Sequence, residues 1–275
     1  MGEFVVLTEH FHARSVNRRK EVAKSIEVNC RIPETKMVVV FINEDRELRL
    51  SIKKNLSEED YNKIRLHRTP SGHRSTYGEL FAYANEHLAG ETCIICNNDI
   101  SFDESLNEIS GFDLEGYFIC LTRWDVLKDN SLKFKEPARI RKNSQDAWIF
   151  KSPVPVKMID KGGFYMGRPG CDGMVSYLAT VSGLKVFNPS LVVRAKHLHL
   201  SKYRTYTRKH RMGWDEIYMC VYPTDKIAFD VSKLMYKFGR NMKLHGQNAV
   251  DFAIKHERLN QLHWDEALDK CKSLK

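Results

Sequence analysis

The first candidate for chemistry is a polar triplet that interrupts an apolar stretch. Asn97, Asn98 and Asp99 follow directly after the apolar run 92–96. Carboxylate and amide oxygens in such a place can bind a divalent cation or the phosphates that the cation carries. Asn and Asp also favour ordinary turns, so the triplet by itself leaves both a turn and a binding site open.

Two histidines separated by one residue form the second candidate. In an extended segment, the side chains of His197 and His199 point to the same face. An oxygen ligand from Asp99 together with such an imidazole would suit Mn²⁺ or Mg²⁺ carrying a diphosphate. A structural role for both histidines also stays open.

Two carboxylates could act as acids or bases. Asp172 follows the Gly/Pro turn 167–170, where it could either cap the next helix or serve as a general base at a cleft. Asp146 lies two residues before Trp148, a pairing suited to a sugar ring stacked on an aromatic side chain. The sequence contains no GxGxxG fingerprint, no GxxxxGK[ST] phosphate loop and no GxSxG elbow.

A basic segment precedes the predicted helix 75–89. Arg65, Arg68, His73 and Arg74 could contact a nucleotide or its phosphates, assisted by the helix N-terminus. A solvated surface is the alternative. The net charge of +9 indicates an anionic partner without choosing among nucleic acid, an acidic membrane and a phosphorylated small molecule.

Short apolar strands alternate with helices along the first 200 residues. Strands are predicted at 4–8, 37–42, 92–96, 117–121, 185–187 and 191–193, and helices at 15–28, 75–89, 172–182, 226–243 and 247–272, with an irregular surface loop over 125–146. This alternation predicts an α/β fold with a mostly parallel sheet, whose ligands bind beyond the C-terminal ends of the strands. Thr8–His10 and the triplet would then share one edge.

The chain also carries signals about its organisation and compartment. Strand signals fade after about residue 203, which predicts a domain over 1–205 and a helical C-terminal extension over 206–275. No apolar run reaches about 18 residues, so no transmembrane helix is expected. Seven cysteines indicate free thiols in a reducing compartment, and we expect a cytoplasmic location, with peripheral membrane binding left open.

Seven motifs in a fixed order carry a family resemblance. They are FVVLTE, TYGELFAYAN, CIICNNDISFD, ICLTRWD, NSQDAWIF, GRPGCD and NPSLVVRAKHLHLSKYR. Together they resemble the small GT-A glycosyltransferase domains of bacterial polysaccharide clusters and large DNA viruses, such as the N-terminal domain of a chlorella-virus multidomain protein. The resemblance covers roughly residues 3–206. It implies a GT-A (Rossmann-like) mixed, mostly parallel sheet flanked by helices and, for a viral chain, a location in the host cytoplasm.

The resemblance further implies a transferase that uses a nucleoside-diphosphate sugar, a glycan acceptor and Mn²⁺ (or Mg²⁺). The family's Asp-x-Asp metal motif falls on the triplet, which makes Asp99 the expected metal carboxylate. Asn97 and Asn98 would lie closer to the ribose or the phosphates. His199 or His197 matches the late histidine that completes such metal sites.

Further donor-binding residues follow from the same resemblance. Thr8 and Glu9 match the end of the first strand, where the nucleotide base and ribose are held. Arg68 fits a contact to the nucleotide or its phosphates. Arg123 and Trp124 are expected to line the donor or acceptor pocket.

Asp172 matches the base of an inverting enzyme, and Asp146 is the second candidate, with gripping of a sugar hydroxyl as its other role. Two different functions compete with this interpretation. The basic, aromatic segment 201–214 would suit a nucleic-acid-binding protein, although no RNP-like or zinc-finger motif supports it. A catalytically inactive sugar-binding scaffold is the other, because Asn97 stands where the metal motif has its first carboxylate. Oligomeric state, sugar and linkage stay open.

Overall fold

The structure is a computed structural model that describes residues 3–11, 13–42, 52–69, 74–134, 144–201, 212, 217–238, 242–258, 260, 265 and 269. The strands are β1 (Phe4–His10), β2 (Thr35–Ile42), β3 (Ile64–Arg68), β4 (Thr92–Cys96), β5 (Ile100–Ser101), β6 (Tyr117–Leu121), β7 (Arg123–Val126), β8 (Leu132–Lys133), β9 (Ala147–Lys151), β10 (Lys185–Phe187), β11 (Ala195–His197), β12 (Ile217–Val221), β13 (Leu234–Phe238) and β14 (Met242–His245). The helices are α1 (Val16–Arg31), α2 (Glu58–Asn62), α3 (Tyr77–His87), α4 (Val156–Asp160), α5 (Cys171–Val181) and α6 (Gln247–Lys255), and short 3-10 helices span Glu104–Ile109 and Val231–Lys233.

A seven-stranded sheet forms the centre of the fold, in the order β10-β6-β9-β4-β1-β2-β3. Strand β9 runs antiparallel to β4 and β6, and the other pairings are parallel. The predicted α/β fold class, with a mixed and mostly parallel sheet flanked by helices, is confirmed. The C-terminal ends of β1 to β4 therefore meet at one edge, which carries the polar triplet.

Continuous apolar strands build this sheet because helices cover both of its faces. Successive residues of β1 alternate between the two faces. Val5 and Leu7 pack in the cluster that contains α3 and α5, whereas Phe4 and Val6 pack in the cluster that contains α1. Helix α3 begins with a capping box of Thr76 and Glu79, as the sequence pattern of its N-terminus favours.

A second, smaller sheet has the order β5-β11-β7-β8. Its strand β5 begins directly after the polar triplet. Two sequence-based predictions fail in this sheet. The strand predicted at 191–193 is wrong: these residues form a turn, and β11 begins at Ala195. The stretch 125–146, predicted as irregular, starts with the end of β7 and includes β8, while 135–143 lies outside the described residues.

The C-terminal part contains an antiparallel sheet of β12, β13 and β14. The helix predicted over 226–243 is therefore wrong. Its apolar residues Leu234 and Tyr236 join the cluster around α5 as part of a strand. A Cβ atom on Gly173 of α5 would lie 2.7 Å from the Cβ of Tyr218 on β12, so the sheet packs closely on this helix. The domain boundary near residue 205 stays a prediction.

Helix α6 confirms the start of the helix predicted over 247–272, much of whose remainder lies outside the described residues. In the part of the chain that the structure describes, no helix combines the length and the apolar character needed to cross a bilayer. The six cysteines in that part are buried and form no disulfide with one another: Cys30, Cys93, Cys96, Cys120, Cys171 and Cys220.

Candidate functional site

Backbone pairing brings the polar triplet and the histidine pair together. Strand β11 runs antiparallel to β5, so that His197 stands opposite Ile100. The N–H of Leu198 donates to the carbonyl oxygen of Asp99 over 2.9 Å. The triplet is itself a turn, because the N–H of Ile100 donates to the carbonyl oxygen of Asn97 over 3.0 Å. The turn thus ends on a carboxylate that faces the histidines.

One carboxylate oxygen forms the centre of this cluster. Oδ2 of Asp99 lies 3.0 Å from Nε2 of His197 and 3.4 Å from Nδ1 of His199. These three potential ligand atoms lie within 4.8 Å of one another, and Asp99 and His197 are 5% and 6% exposed. Burial by itself raises the pKa of Asp99, but His197, His199 and Arg18 hold that pKa well below its usual range.

Asp125 holds the second nitrogen of His197. Its Oδ1 lies 2.9 Å from Nδ1 of the ring. When Nδ1 carries the hydrogen, the lone pair of Nε2 faces the carboxylate of Asp99, and a cation or a proton must lie between these two acceptors. Burial lowers the pKa of His197, yet Asp99 and Asp125 raise it above its usual value. The residues therefore fit a divalent metal, with Asp125 as the carboxylate that orients one ligand.

Asp146 contacts the first residue of the triplet. Nδ2 of Asn97 donates to its Oδ1 over 2.9 Å, and Nη1 of Arg123 lies 3.1 Å from the same oxygen. Nε of Arg123 also lies 3.1 Å from Oδ1 of Asp125. One guanidinium therefore links Asp146 to the carboxylate that holds His197.

Trp148 does not line the site. Its side chain is fully buried and packs edge-on against Tyr77, with 5.1 Å between the ring centroids. The predicted stacking of a sugar ring on Trp148 beside Asp146 is wrong for this reason. The side chain of Asp146 is held by Asn97 and Arg123 instead.

Asp172 is the second residue of α5 and does not cap it. The N-cap is Gly170, whose φ of 96° lies in the left-handed region that favours glycine. Sγ of Cys171 donates to Oδ1 of Asp172 over 3.1 Å. Burial, followed by the nearby charge of Asp146, raises the pKa of Asp172 to about 8. A carboxyl group that titrates this close to neutral pH suits the uptake of a proton from a substrate.

The residues predicted for the nucleotide base lie within β1, which runs to His10 rather than ending at Thr8. Oγ1 of Thr8 donates to the carbonyl oxygen of Cys96 over 3.1 Å and so ties β1 to the end of β4. Glu9 is buried, and its Oε2 accepts from the N–H of Ser75 over 3.3 Å. Both side chains hold the edge of the sheet together in this structure.

The basic segment before α3 is divided among different surroundings. Arg74 is partly buried and forms an ion pair with the buried carboxylate of Glu9. Arg65 bonds backbone carbonyls at the start of its own strand. Arg68 stands exposed at the end of β3, at the same edge of the sheet as the triplet. His73 lies outside the described residues.

The remaining predicted donor contacts flank the metal cluster. The side-chain oxygen of Asn98 accepts from Nη2 of Arg18 at 3.4 Å, while its buried amide nitrogen has no partner among the described residues. Nε1 of Trp124 donates to the carbonyl oxygen of Ser190 over 2.8 Å, and the ring is half-buried. The guanidinium of Arg123 forms ion pairs with Asp125 and Asp146.

Sequence reasoning missed three charged residues of this site: Asp125, Arg18 and Glu21. Arg123 and Asp125 lie two residues apart on β7, so their side chains share a face of the strand. This spacing could have indicated their ion pair. Arg18 and Glu21 are three apart on α1 and form an ion pair of 3.2 Å, which is a common helical spacing. Nothing in that spacing indicates that Arg18 also lies 2.6 Å from Oδ2 of Asp99.

No protein-family model matches this sequence, and no curated protein matches it. Among solved structures, the mannosyltransferase PcManGT from Pyrobaculum calidifontis, in complex with GDP-Man and Mn²⁺, matches with 13% identity and a TM-score of 0.47 over 73% of this chain and 58% of that one. GalNAc-T7 with UDP, GalNAc and Mn²⁺ matches with 10% identity and a TM-score of 0.48 over 74% of this chain and 44% of that one.

An enzyme of another class also matches. The 4-diphosphocytidyl-2C-methyl-D-erythritol synthase from Anaerococcus prevotii has 12% identity and a TM-score of 0.44 over 76% of this chain and 94% of that one. This chain thus spans 58% and 44% of the two transferases that it matches. At these identities and TM-scores the likenesses assign no family and no activity to this chain.

Proposed function

We propose that this chain is a metal-dependent glycosyltransferase that moves a hexose or deoxyhexose from a nucleoside-diphosphate sugar to a hydroxyl group of a glycan acceptor. The observation that carries the proposal is the meeting of two sites at one edge of the sheet. Asp99, His197 and His199 form one cluster, and Asp146, which accepts a hydrogen bond from Asn97, carries a charge close enough to raise the pKa of Asp172. The resemblance of the sequence motifs to GT-A domains supports the same activity.

Asp99, His197 and His199 would hold the metal ion, and Asp125 keeps His197 in the tautomer that can bind it. Because this ligand set mixes one carboxylate with two imidazoles, it suits Mn²⁺ better than Mg²⁺, which prefers oxygen ligands. A divalent ion in this place supplies neutralisation of the negative charge that develops on the leaving diphosphate.

Asp172 is the proposed base of the transfer. Its carboxylate takes the proton of the acceptor hydroxyl as the hydroxyl oxygen forms a bond to the anomeric carbon. The bond from that carbon to the diphosphate oxygen breaks, and its electron pair leaves with the diphosphate. Asp172 is not among the three residues of the metal cluster, so the base and the metal that holds the leaving group would be separate groups. The match of Asp172 to the base of an inverting enzyme supports a single-step displacement with inversion.

The same contact argues against an inactive scaffold. The sequence lacks the first carboxylate of the metal motif, because Asn97 stands in its place. Asp146 brings a carboxylate within hydrogen-bond distance of that amide, at 2.9 Å. A second acidic group, in addition to Asp99, therefore contacts the triplet.

Thermal unfolding with UDP-, GDP- and dTDP-sugars, each with and without Mn²⁺, tests the proposal. We expect one donor to stabilise the chain in a metal-dependent way, by about 2.7 kcal/mol when its concentration is 100 times the dissociation constant. Asp99→Ala should abolish this stabilisation, whereas Asp129→Ala, on an exposed loop, should retain it. Absence of metal-dependent stabilisation by all three donors would contradict the proposed function.

A further inference from the structure

Arg18 occupies the oxygen on which the metal cluster is centred. Its Nη2 lies 2.6 Å from Oδ2 of Asp99, and the whole residue is 7% exposed. The same oxygen faces Nε2 of His197 at 3.0 Å. Arginine stays charged at every ordinary pH, so a permanent cation shares the principal ligand of the proposed metal.

Other acceptors hold the guanidinium in this position. Nη1 lies 3.2 Å from Oε2 of Glu21 and 3.4 Å from the carbonyl oxygen of Leu198, and Nη2 lies 3.4 Å from Oδ1 of Asn98. Arg18 therefore keeps hydrogen-bond partners when Asp99 gives Oδ2 to another cation. The guanidinium would remain beside that cation, with one N–H group released from the carboxylate.

Glu21 connects Arg18 to the segment that contains His197 and His199. Its Oε1 accepts from the backbone N–H groups of Leu200 and Ser201, over 2.9 and 2.6 Å, and its Oε2 accepts from the hydroxyl of Ser201 over 2.8 Å. Helix α1 thus holds Arg18 and the end of the histidine segment through one buried carboxylate. Movement of Arg18 away from the site would break contacts of Glu21 as well.

We infer that Arg18 makes metal binding depend on the diphosphate of the donor, an inference that rests on the proposed function. Two cations at one carboxylate oxygen repel each other, so Arg18 weakens the binding of a metal alone. A diphosphate bound to the metal places negative charge beside the guanidinium, which then attracts it. The metal and the diphosphate therefore strengthen each other's binding, and thermodynamic linkage makes this effect reciprocal.

Electron paramagnetic resonance of bound Mn²⁺ tests the inference without turnover. The full chain, Arg18→Gln and Arg18→Lys are titrated with Mn²⁺ alone and with Mn²⁺ plus saturating UDP, GDP or dTDP, with nucleotide blanks subtracted. Removal of the cation in Arg18→Gln should tighten binding of Mn²⁺ alone by at least about tenfold and reduce the nucleotide-dependent gain by a similar factor. Arg18→Lys, which keeps the charge, should retain most of that gain.

The double variant Arg18→Gln/Glu21→Gln covers the case in which the single variant does not fold, because it removes both charges of the buried pair. Tighter binding of Mn²⁺ alone by either folded variant supports the inference. Unchanged or weaker binding of Mn²⁺ alone by a folded variant, while the wild-type chain binds Mn²⁺ and nucleotide together, overturns the inference and leaves the proposed function intact. Failure of the wild-type chain and both variants to bind Mn²⁺ under any condition overturns both.

Discussion

The side-chain amide of Asn97 donates a hydrogen bond of 2.9 Å to Oδ1 of Asp146. This contact gives a physical reason for the departure from the Asp-x-Asp motif. A carboxylate in place of the amide would have no hydrogen to donate and would face a second buried carboxylate. Asn97 is therefore the residue type that Asp146 requires, and Arg123 compensates the remaining charge from the other side at 3.1 Å.

Asn97→Asp, which restores the family motif, should weaken the fold rather than improve the site. We expect a loss of about 1–3 kcal/mol in the free energy of unfolding, because a partly buried hydrogen bond is replaced by repulsion between like charges. We expect no tighter binding of Mn²⁺, since the side chain at this position faces Asp146 and not Oδ2 of Asp99. Urea denaturation and Mn²⁺ titration measure the two effects. Asn17→Asp, exposed in the first turn of α1, is the matched control, and tighter Mn²⁺ binding by Asn97→Asp would contradict the expectation.

Asp172→Asn should separate donor binding from transfer. The amide keeps the shape of the carboxyl group but cannot take the proton of the acceptor hydroxyl, so transfer should fall by about 10²–10⁴-fold. Metal-dependent stabilisation by the donor sugar should stay as in the wild-type chain, because Asp172 is not among the residues of the metal cluster. Turnover at the wild-type rate would remove Asp172 as the base and leave Asp146 as the candidate.

The same variant should be more stable than the wild-type chain at alkaline pH. The pKa of Asp172 is raised to about 8 in the folded protein, first by burial and then by Asp146. Between about pH 4 and this value the folded state binds more protons than the unfolded state, so stability falls as the pH rises. Asn carries no such proton, and its advantage should grow to about 5 kcal/mol at pH 9 and vanish near pH 4. Denaturation at pH 4, 6 and 9 checks this, and a pH-independent difference would contradict it.

Asp146→Asn should move the pH dependence of transfer. The negative charge of Asp146 contributes to the raised pKa of Asp172, whereas Arg123 lowers that pKa. Without the charge of Asp146, the base ionises at a lower pH, so the rising limb of kcat/KM against pH should shift toward acid. A profile recorded from pH 5.5 to 9.5 for both proteins measures the shift. A limb that stays in place would show that another group controls the rate.

The sequence predicts the edge of the sheet better than the contacts across it. Continuous apolar runs such as 92–96 and 117–121 indicate strands covered on both faces, and parallel strands must end at the same edge. That rule places Asp99 at the edge, whereas its approach to His197 depends on the antiparallel pairing of β11 with β5, which the sequence pattern did not predict. Arg18 reaches Asp99 across 81 positions of the chain, and such a contact depends on how α1 packs, which local spacing does not encode.

The sequence pattern led to wrong predictions for the C-terminal sheet and for Trp148. Residues 226–243 mix charged and apolar side chains at spacings compatible with a helix, but Leu234 and Tyr236 are buried against α5 as alternate residues of β13. Tertiary packing decided between the two periodicities there. Trp148 belongs to a strand covered on both faces, so its ring is part of the core although its neighbour in sequence at Asp146 faces the site.

Asp125→Asn should weaken metal binding although Asp125 is not a proposed ligand. Its Oδ1 accepts from Nδ1 of His197 at 2.9 Å and so keeps the lone pair of Nε2 directed at Asp99. Loss of such a second carboxylate typically costs 10–100-fold in metal affinity, about the loss we expect here.

In the wild-type chain, Mn²⁺ binding should weaken as the pH falls through the raised pKa of His197, because a proton competes for Nε2. In Asp125→Asn that pH dependence should move to lower pH, since one of the carboxylates that raise the pKa is gone. Mn²⁺ titrations between pH 5.5 and 8, with exposed Asp113→Asn as the control, measure both effects, and an unchanged affinity would show that Asp125 does not orient His197.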